Sequence, residues 1–483
     1  MRLRPPAGPV IALCLAGATI RFATLGEQSF WLDEAVTGRL MHLGFVGMLR
    51  AIPRSESTPP LYYVLAWLWT RVFGVTEVGL RSLSAVFGTL TIPLVHMAAA
   101  RVFDRRAGLF AAALATFAPL LIWYSQEARS YALLVALCTA SVWTLVAAVE
   151  PNAGRRWLWS WAVVSGLALA THYFAAFLIG PELCWVIAKR RRAGLPAAGV
   201  VVLAGLAVAP LALRQRANGT AGFITQTGLP TRLAQAVKQL AIGYDAPADG
   251  LIVGLGCVLG VAAIWLAWRR LAETERLRAL GIVGLGIAAT GLPVLAAGLG
   301  FDYVITRNVI ATWVPVSLAV AAGLARSGRA GTVVLIGVCS LGLAVTLGVD
   351  LDGRYQRDDW RGVARAVPTG TLSALVVTPS SGRLALQYYL PRSRPVGPTG
   401  AKVTTVEVIA LGARSGGNAV VAPPLASHPP TLAGFGAPVA SVHATFSVVR
   451  YHATAGAALV TAPILASLAP SPASSIQLLS RGS

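Results

Sequence analysis

The sequence predicts a polytopic α-helical membrane protein with about eleven spans, followed by a small α/β domain outside the membrane. Of the 483 residues, 55% are hydrophobic and only 12% are charged, whereas about 25% of the residues of a soluble domain are charged. Long uncharged runs follow one another through residues 1–349. From residue 350 onward, Pro, Gly and polar residues become frequent and short β-like runs appear. We therefore expect two domains, 1–349 and 350–483.

Eleven apolar runs are candidate spans, because a helix needs roughly 17–25 residues to cross a bilayer. They cover residues 10–25, 80–100, 107–123, 130–149, 157–173, 174–188, 194–213, 250–268, 279–298, 309–325 and 331–349. The first run follows Arg2 and Arg4 and has no convincing cleavage site, so we expect a retained span and not a signal peptide. A twelfth run, 59–74, is shorter and rich in Trp and Tyr. We expect it to lie at the membrane interface, within an outer loop that covers residues 26–80.

The basic residues predict the orientation in the membrane. The chain has 40 Lys and Arg against 19 Asp and Glu, a net charge of +21. These residues form short clusters between the apolar runs, as in residues 189–192, which is typical of cytoplasmic loops and not of a nucleic-acid-binding surface. A cytoplasmic N-terminus places most of these clusters inside and residues 350–483 outside. The Ala-, Gly- and Arg-rich composition is that of a GC-rich bacterial genome, so we expect a bacterial inner (plasma) membrane protein.

The domain at 350–483 is predicted to mix strands and helices. Strand-like runs cover 374–378, 403–410 and 446–451, and helical runs cover 360–367 and 382–390. An apolar stretch, 457–468, is too short for a span and is expected to pack on the domain or on the membrane. The five cysteines all lie inside apolar runs, so the sequence predicts no disulfide framework and no cysteine metal site.

Acidic residues near the membrane are candidates for function, because a carboxylate at that depth is unfavourable unless it is paired or used. Asp33 and Glu34 follow an apolar, aromatic lead in the outer loop. Asp33 suits a general base that takes a proton from an acceptor hydroxyl. Arg81, Arg129 and Arg307 are expected at the same face, where cations could hold a leaving phosphate.

A second set of candidates carries hydrogen-bonding side chains suited to a hydroxyl-rich ligand. The set comprises Tyr124, Gln126, Glu127, Arg129, Tyr131, His172 and Tyr173. Asp33, Glu34, Glu127 and His172 also have the side chains that bind a divalent metal ion, although no spacing requires one.

Each candidate has a purely structural alternative. Asp33 and Glu34 could cap a helix that starts near Ala35. Glu127 and Arg129 could form a polar pair between two spans. His172 could be a satisfied interface histidine, and Arg307 could extend to the interface as long basic side chains do.

Four motifs occur in order and resemble a known family. They are residues 30–34 (Phe-Trp-Leu-Asp-Glu), 57–63 (Ser-Thr-Pro-Pro-Leu-Tyr-Tyr), 80–85 (Leu-Arg-Ser-Leu-Ser-Ala) and 124–131 (Tyr-Ser-Gln-Glu-Ala-Arg-Ser-Tyr). Together they resemble the family-39-type glycosyltransferases of the C superfamily, which include protein O-mannosyltransferases and lipid A aminoarabinose transferases. The resemblance is best over residues 20–190 and weakens at 306–308 and 356–361.

The resemblance implies an inverting transfer, in which an acceptor oxygen attacks the anomeric carbon of the sugar and polyprenyl phosphate leaves. It implies that Asp33 is the catalytic carboxylate with Glu34 beside it, that Arg81 is a functional loop arginine, and that Arg307 can hold the donor phosphate. Glu127 falls near an acid of the lipid A transferases, but its neighbours differ. The donor sugar stays open, and so does the acceptor, which is a glycan, a glycolipid or a protein.

Two other functions remain as alternatives. A transporter or flippase for lipid-linked sugars would explain the spans, but it predicts functional charges in the middle of the membrane and internal repeats. A non-catalytic scaffold for envelope assembly would keep the fold, but it would not need Asp33 and Glu34.

Overall fold

The computed structural model describes residues 8–219, 221–368, 372–412, 419–425, 429–469 and 475–479. The chain forms two compact units. The first, here called the membrane unit, comprises Met1–Leu25, Leu43–Tyr244 and Ala248–Leu347. The second, the sheet unit, comprises Gly26–His42, Asp245–Pro247 and Gly348–Ser483. The first part of the predicted outer loop therefore packs with the C-terminal residues, while the predicted division into domains at residues 349 and 350 stays a prediction.

The membrane unit is built from helices. They are α1 (Gly8–Phe22), α3 (Phe45–Ser55), α4 (Leu61–Phe73), α5 (Glu77–Val102), α6 (Arg105–Phe117), α7 (Pro119–Ser125), α8 (Tyr131–Val149), α9 (Arg155–Thr171), α10 (Ala176–Arg190), α11 (Leu195–Arg216), α12 (Leu229–Ile242), α13 (Asp249–Arg270), α14 (Glu273–Gly298), α15 (Trp313–Arg326) and α16 (Gly328–Leu351), the last ending in the sheet unit. Helix α2 (Leu32–Met41) belongs to the sheet unit.

The described helices fit a multi-pass membrane protein. Six of them, α5, α8, α11, α13, α14 and α16, are long and apolar enough to cross a bilayer, and α6 with α7 forms a seventh candidate that bends by 59°. Each of the eleven predicted apolar runs coincides with a helix or with this bent pair. The count of eleven spans stays a prediction, because the helices of the other four runs, α1, α9, α10 and α15, are only 14 to 17 residues long.

Helix α13 has an exposed apolar surface and also packs closely against α15. Helix α13 exposes Leu251, Val258 and Val261, each about two thirds exposed, and a continuous apolar surface of this kind is rare in soluble monomers. The same helix approaches α15 closely, because a Cβ atom on Gly323 would lie only 2.1 Å from the Cβ of Ala267. Small residues at a helix crossing are how membrane helices pack without a hydrophobic driving force.

A buried arginine fixes the break between α6 and α7. Arg21, at the end of α1, is fully buried and donates to the carbonyl oxygens of Ala115 (2.9 Å) and Thr116 (3.2 Å) and to the hydroxyl of Ser125 (3.1 Å). Those carbonyls belong to the last turn of α6, where helical carbonyls lack partners and attract a cation. Arg21 thus ties α1 to both halves of the bent pair and positions the residues that follow α7.

The sheet unit confirms the predicted small sheet region at the C-terminus. Its strands are β1 (Ser373–Thr378), β2 (Ser393–Pro395), β3 (Ala401–Val403), β4 (Thr405–Leu411), β5 (Val439–Val442), β6 (Phe446–His452), β7 (Ala458–Val460) and β8 (Ser475–Leu479). Its other helices are α17 (Trp360–Ala366), α18 (Gly382–Tyr389) and α19 (Ala462–Ser467).

Six strands form one sheet in the order β2-β8-β1-β4-β6-β5, and β3 pairs with β7. Strands β1 and β4 are parallel, and the chain between them contains α18, β2 and β3. The other strand pairs are antiparallel. The apolar stretch 457–468 forms β7 and α19 within this unit. Val376, Val406 and Tyr451 are buried in its core.

Candidate functional site

Helix α2 carries the two predicted catalytic carboxylates in its first turn. The helix starts at Leu32 after an extended Trp31, and no side-chain hydrogen bond caps it. Asp33 and Glu34 therefore follow the cap position, so they favour the helix through its dipole and not as N-cap residues. The two side chains differ in environment, because Asp33 is half-buried and Glu34 is fully buried.

Glu34 lies against a buried arginine of the same unit. Its Oε2 is 3.9 Å from the Nε of Arg357, and both side chains are at most 3% exposed. A buried carboxylate needs such a cation, because an uncompensated charge in the interior is strongly destabilising. The structure thus separates the two acids, with Glu34 directed into the sheet unit and Asp33 at its surface.

A buried ion pair in the membrane unit connects the fourth motif with the residue that precedes the second. Arg129 donates from Nη1 to Oε2 of Glu56 at 2.6 Å, and the hydroxyl of Tyr63 donates to the same oxygen at 2.5 Å. The hydroxyls of Thr58 and Tyr63 are 2.9 Å apart. Sequence reasoning did not assign Glu56 or Tyr63 to the site, although both lie in or next to the second motif.

The turn after α7 is held by its predicted binding residues. Gln126 donates from Nε2 to the hydroxyl of Thr24 at 2.8 Å and to the carbonyl of Ile20 at 3.2 Å, which ties the turn to the end of α1. Glu127 is buried in the same turn, and Ser84 donates to the carbonyl oxygen of Arg129 at 3.3 Å. The turn is therefore fixed from two sides.

Aromatic rings extend from this turn toward His172. The ring of Tyr131 lies 4.7 Å from that of Tyr124 and 5.8 Å from that of His172. The hydroxyl of Tyr124 forms a short hydrogen bond with the hydroxyl of Tyr244. Tyr173 is used differently, since its hydroxyl donates to Oε1 of Gln215 at 2.8 Å.

Tyr244 was not expected from the sequence, which gives no local signal for it. Burial raises the pKa of Tyr244 to about 12, so its hydroxyl keeps its proton at neutral pH. Glu127, Tyr131 and Arg307 all interact with Tyr244 electrostatically. The described part of the membrane unit therefore places these residues in one neighbourhood.

Arg307 belongs to the same neighbourhood. Its guanidinium lies 5.6 Å from the ring centre of Phe223. Arg307 and Arg129 both interact electrostatically with His172. The segment leading to Arg307 is held by Asp302, whose two carboxylate oxygens accept from Arg232 at 2.8 and 2.6 Å. These hydrogen bonds lower the pKa of Asp302. Such a bidentate pair fixes geometry as well as charge, and no sequence motif had indicated it.

Arg81 is placed differently from the other arginines. It is buried in α5 and donates from Nη1 to the carbonyl oxygen of Leu25 at 2.9 Å. It therefore holds the last residue of the membrane unit before the chain enters Gly26–His42.

The predicted metal ligands fall into different units, with Asp33 in the sheet unit and Glu127 and His172 in the membrane unit. Within each unit, the described residues contain no group of three His, Cys, Asp or Glu side chains placed to hold a metal ion. The metal site therefore stays an untested prediction.

Comparisons with known proteins agree with the motifs. Residues 57–213 match the family model of dolichyl-phosphate-mannose-protein mannosyltransferases. No curated protein sequence matches the chain.

The fold is similar to that of ArnT from Cupriavidus metallidurans. In the apo state, that structure superimposes with a TM-score of 0.56 at 14% identity, over 96% of this chain and 99% of ArnT. The structure of ArnT bound to undecaprenyl phosphate superimposes with a TM-score of 0.51 at 14% identity, over 92% of this chain and 98% of ArnT. The predicted resemblance is confirmed, and the match to the mannosyltransferase family agrees with the predicted class of enzyme, a polyprenyl-phosphate-sugar-dependent glycosyltransferase.

Proposed function

We propose that this protein is an inverting glycosyltransferase that moves a sugar from a polyprenyl-phosphate donor to an extracytoplasmic acceptor, namely a cell-envelope glycan, a glycolipid or a protein. The observation that carries the proposal is the neighbourhood of Arg129, Arg307, Tyr124, Tyr131 and Tyr244 in the membrane unit. It combines cations, phenol hydroxyls and aromatic rings. Cations suit a phosphate, while rings and hydroxyls suit a sugar.

In the proposed reaction, the Asp33 carboxylate takes the proton of the acceptor hydroxyl. The acceptor oxygen forms a bond to the anomeric carbon, and the bond between that carbon and the phosphate oxygen breaks. The electron pair leaves with the polyprenyl phosphate, whose added negative charge is stabilised by guanidinium groups. We assign this stabilisation to Arg307 and Arg129.

We assign the remaining predicted residues to binding. Tyr124, Gln126, Glu127, Tyr131, His172 and Tyr173 shape the sugar site or hold it in place, and Arg81 holds Leu25 at the end of the first segment of the membrane unit. The topology proposed for this reaction has the N-terminus in the cytoplasm and residues 350–483 outside, in a bacterial inner membrane.

The test is transfer by the purified full-length protein in detergent. A panel of polyprenyl-phosphate sugars is supplied with a crude envelope extract as acceptor, with and without EDTA. Asp33→Asn is compared with Asp352→Asn, a control on a half-buried acid of the same unit that pairs with Arg354. We expect transfer by the wild type and the control, and loss of at least about a hundredfold in Asp33→Asn, the lower range for removing a general base.

Two outcomes contradict the proposal. Equal transfer by Asp33→Asn and the wild type would remove Asp33 from the reaction. Absence of transfer from every donor, with donor binding retained, would favour a flippase or a scaffold.

A further inference from the structure

Residues 26–30, which precede Asp33, form hydrogen bonds with the C-terminal residues of the sheet unit. The hydroxyl of Ser29 donates to the carbonyl oxygen of Asp358 at 2.6 Å, and the backbone N–H of Phe30 donates to the hydroxyl of Tyr389 at 2.6 Å. Arg361 donates to the carbonyl oxygens of Gly26 and Glu27 at 3.0 and 2.6 Å. These contacts join residues more than 320 positions apart in sequence.

Helix α2 itself packs on α18 through a glycine. A Cβ atom at Gly38 would lie 2.8 Å from a ring carbon of Tyr388, closer than side chains tolerate. The ring of Phe30 meets the same tyrosine edge to face, with centroids 5.0 Å apart. The close approach therefore depends on the absence of a side chain at residue 38.

Arg357 makes buried polar contacts with the segment that contains α2. Its Nη1 and its backbone N–H both donate to Oε1 of Gln28, at 3.0 and 3.2 Å. Its Nε is 3.9 Å from Oε2 of Glu34. Because Arg357 bonds the segment before α2 and also faces the first turn of α2, it fixes both the position and the rotation of the helix.

Helix rotation matters for Asp33. Successive side chains on an α-helix point about 100° apart, so directing Glu34 at Arg357 sets the direction of Asp33. The buried partner holds Glu34 inward, while Asp33 stays half-buried at the surface of the unit.

We propose that Glu34 and Arg357 form a positioning pair, through which the C-terminal sheet unit holds the Asp33 carboxylate in its reactive orientation. This rests on the proposed role of Asp33 as the base. It gives the C-terminal domain a function in the transfer reaction, and it makes Glu34 a positioning residue instead of a second catalytic group.

The test compares kinetics and stability in the full-length protein. Arg357→Gln is expected to lower kcat on the order of a hundredfold, as misplacement of a reacting group by about 1 Å does, with an unchanged KM for the donor. Arg357→Lys keeps a cation and is expected to recover part of kcat. Arg354→Gln is the matched control, because Arg354 also pairs with a carboxylate of this unit but is 51% exposed.

A double variant separates positioning from folding. Glu34→Gln/Arg357→Gln removes both buried charges, so it is expected to fold and melt near the wild type while kcat stays low. If its kcat per folded molecule equals that of the wild type, the pair is only structural and the inference is overturned.

A readout without catalysis distinguishes failure of the positioning role from failure of the proposed function. In an Asp33→Cys variant, the rate of maleimide labelling at residue 33 is followed by peptide mass analysis, with and without Arg357→Gln. Faster labelling after Arg357→Gln supports the positioning role even if no donor is found. An unchanged rate overturns it, whereas loss of the proposed function alone would show as absent transfer in the wild type.

Discussion

Removing Arg129 should unfold the membrane unit more easily, because it leaves Glu56 as a buried carboxylate without its cation. The distance from Nη1 of Arg129 to Oε2 of Glu56 is 2.6 Å, and the two side chains are 6% and 1% exposed, respectively. Breaking one partner of such a buried pair costs about 3–5 kcal/mol. In Arg129→Met the hydroxyl of Tyr63 still donates to Glu56, so we expect the lower half of that range. The measurement is unfolding in mixed micelles at increasing SDS.

The pair Arg101 and Glu150 is the matched control. The distance from Nη2 of Arg101 to Oε2 of Glu150 is 2.7 Å, but the two side chains are 21% and 44% exposed, respectively. Solvent screens such a pair, so Arg101→Met should cost less than about 1 kcal/mol. An equal loss in Arg129→Met and Arg101→Met would refute the argument from burial.

The double variant Glu56→Gln/Arg129→Met tests the role of Arg129 in binding. It removes both buried charges and should recover most of the stability, since neutral replacement of a buried pair is often tolerated. If Arg129 also holds the donor phosphate, the KM for the donor stays raised in the double variant. Recovery of both stability and donor KM would refute the assignment of Arg129 to the donor.

Two further predictions concern the sheet unit. Burial raises the pKa of Glu407, which is fully buried beside Arg450. The free energy of unfolding should therefore fall as pH rises from the pKa of the unfolded chain, near 4.3, to the raised pKa of the folded state. Glu407→Gln should flatten this part of the pH profile of the melting temperature. Gly382→Ala should cost about 1–3 kcal/mol, because its Cβ atom would lie 1.8 Å from the ring of buried Trp360, whereas Gly397→Ala meets nothing within 4 Å and should be neutral in chemical unfolding.

Local pattern was enough to predict most elements of the fold. Helix α8 is an uncharged run of ordinary span length, and β4 and β6 are short runs that contain β-branched and other apolar residues. Such periodicities depend only on neighbours in sequence. The bend between α6 and α7 coincides with Pro119, a local signal for a helix break. The contacts of Arg21 from α1 with both halves have no such signal.

The candidate site was predictable by residue type but not by pairing. Arg129 could be selected as a rare charge near the membrane, yet its partner Glu56 is 73 positions away. Tyr244 reaches the site from beyond α12, and the bond between Arg232 and Asp302 spans 70 positions. The local pattern of a single sequence contains no signal for such long-range contacts.

The adjacent acids Asp33 and Glu34 show where sequence reasoning stops and what decides their roles. In the sequence the two residues are equivalent acids, and both suit a general base. The start of α2 at Leu32 and the buried position of Arg357 break this equivalence, because Glu34 is fully buried 3.9 Å from Arg357 while Asp33 is half-buried. A base must meet its substrate, which is why we propose the half-buried Asp33 and not Glu34 as the base, and the helix N-terminus favours its negative charge. The buried acid then has the complementary task of fixing the direction of its neighbour.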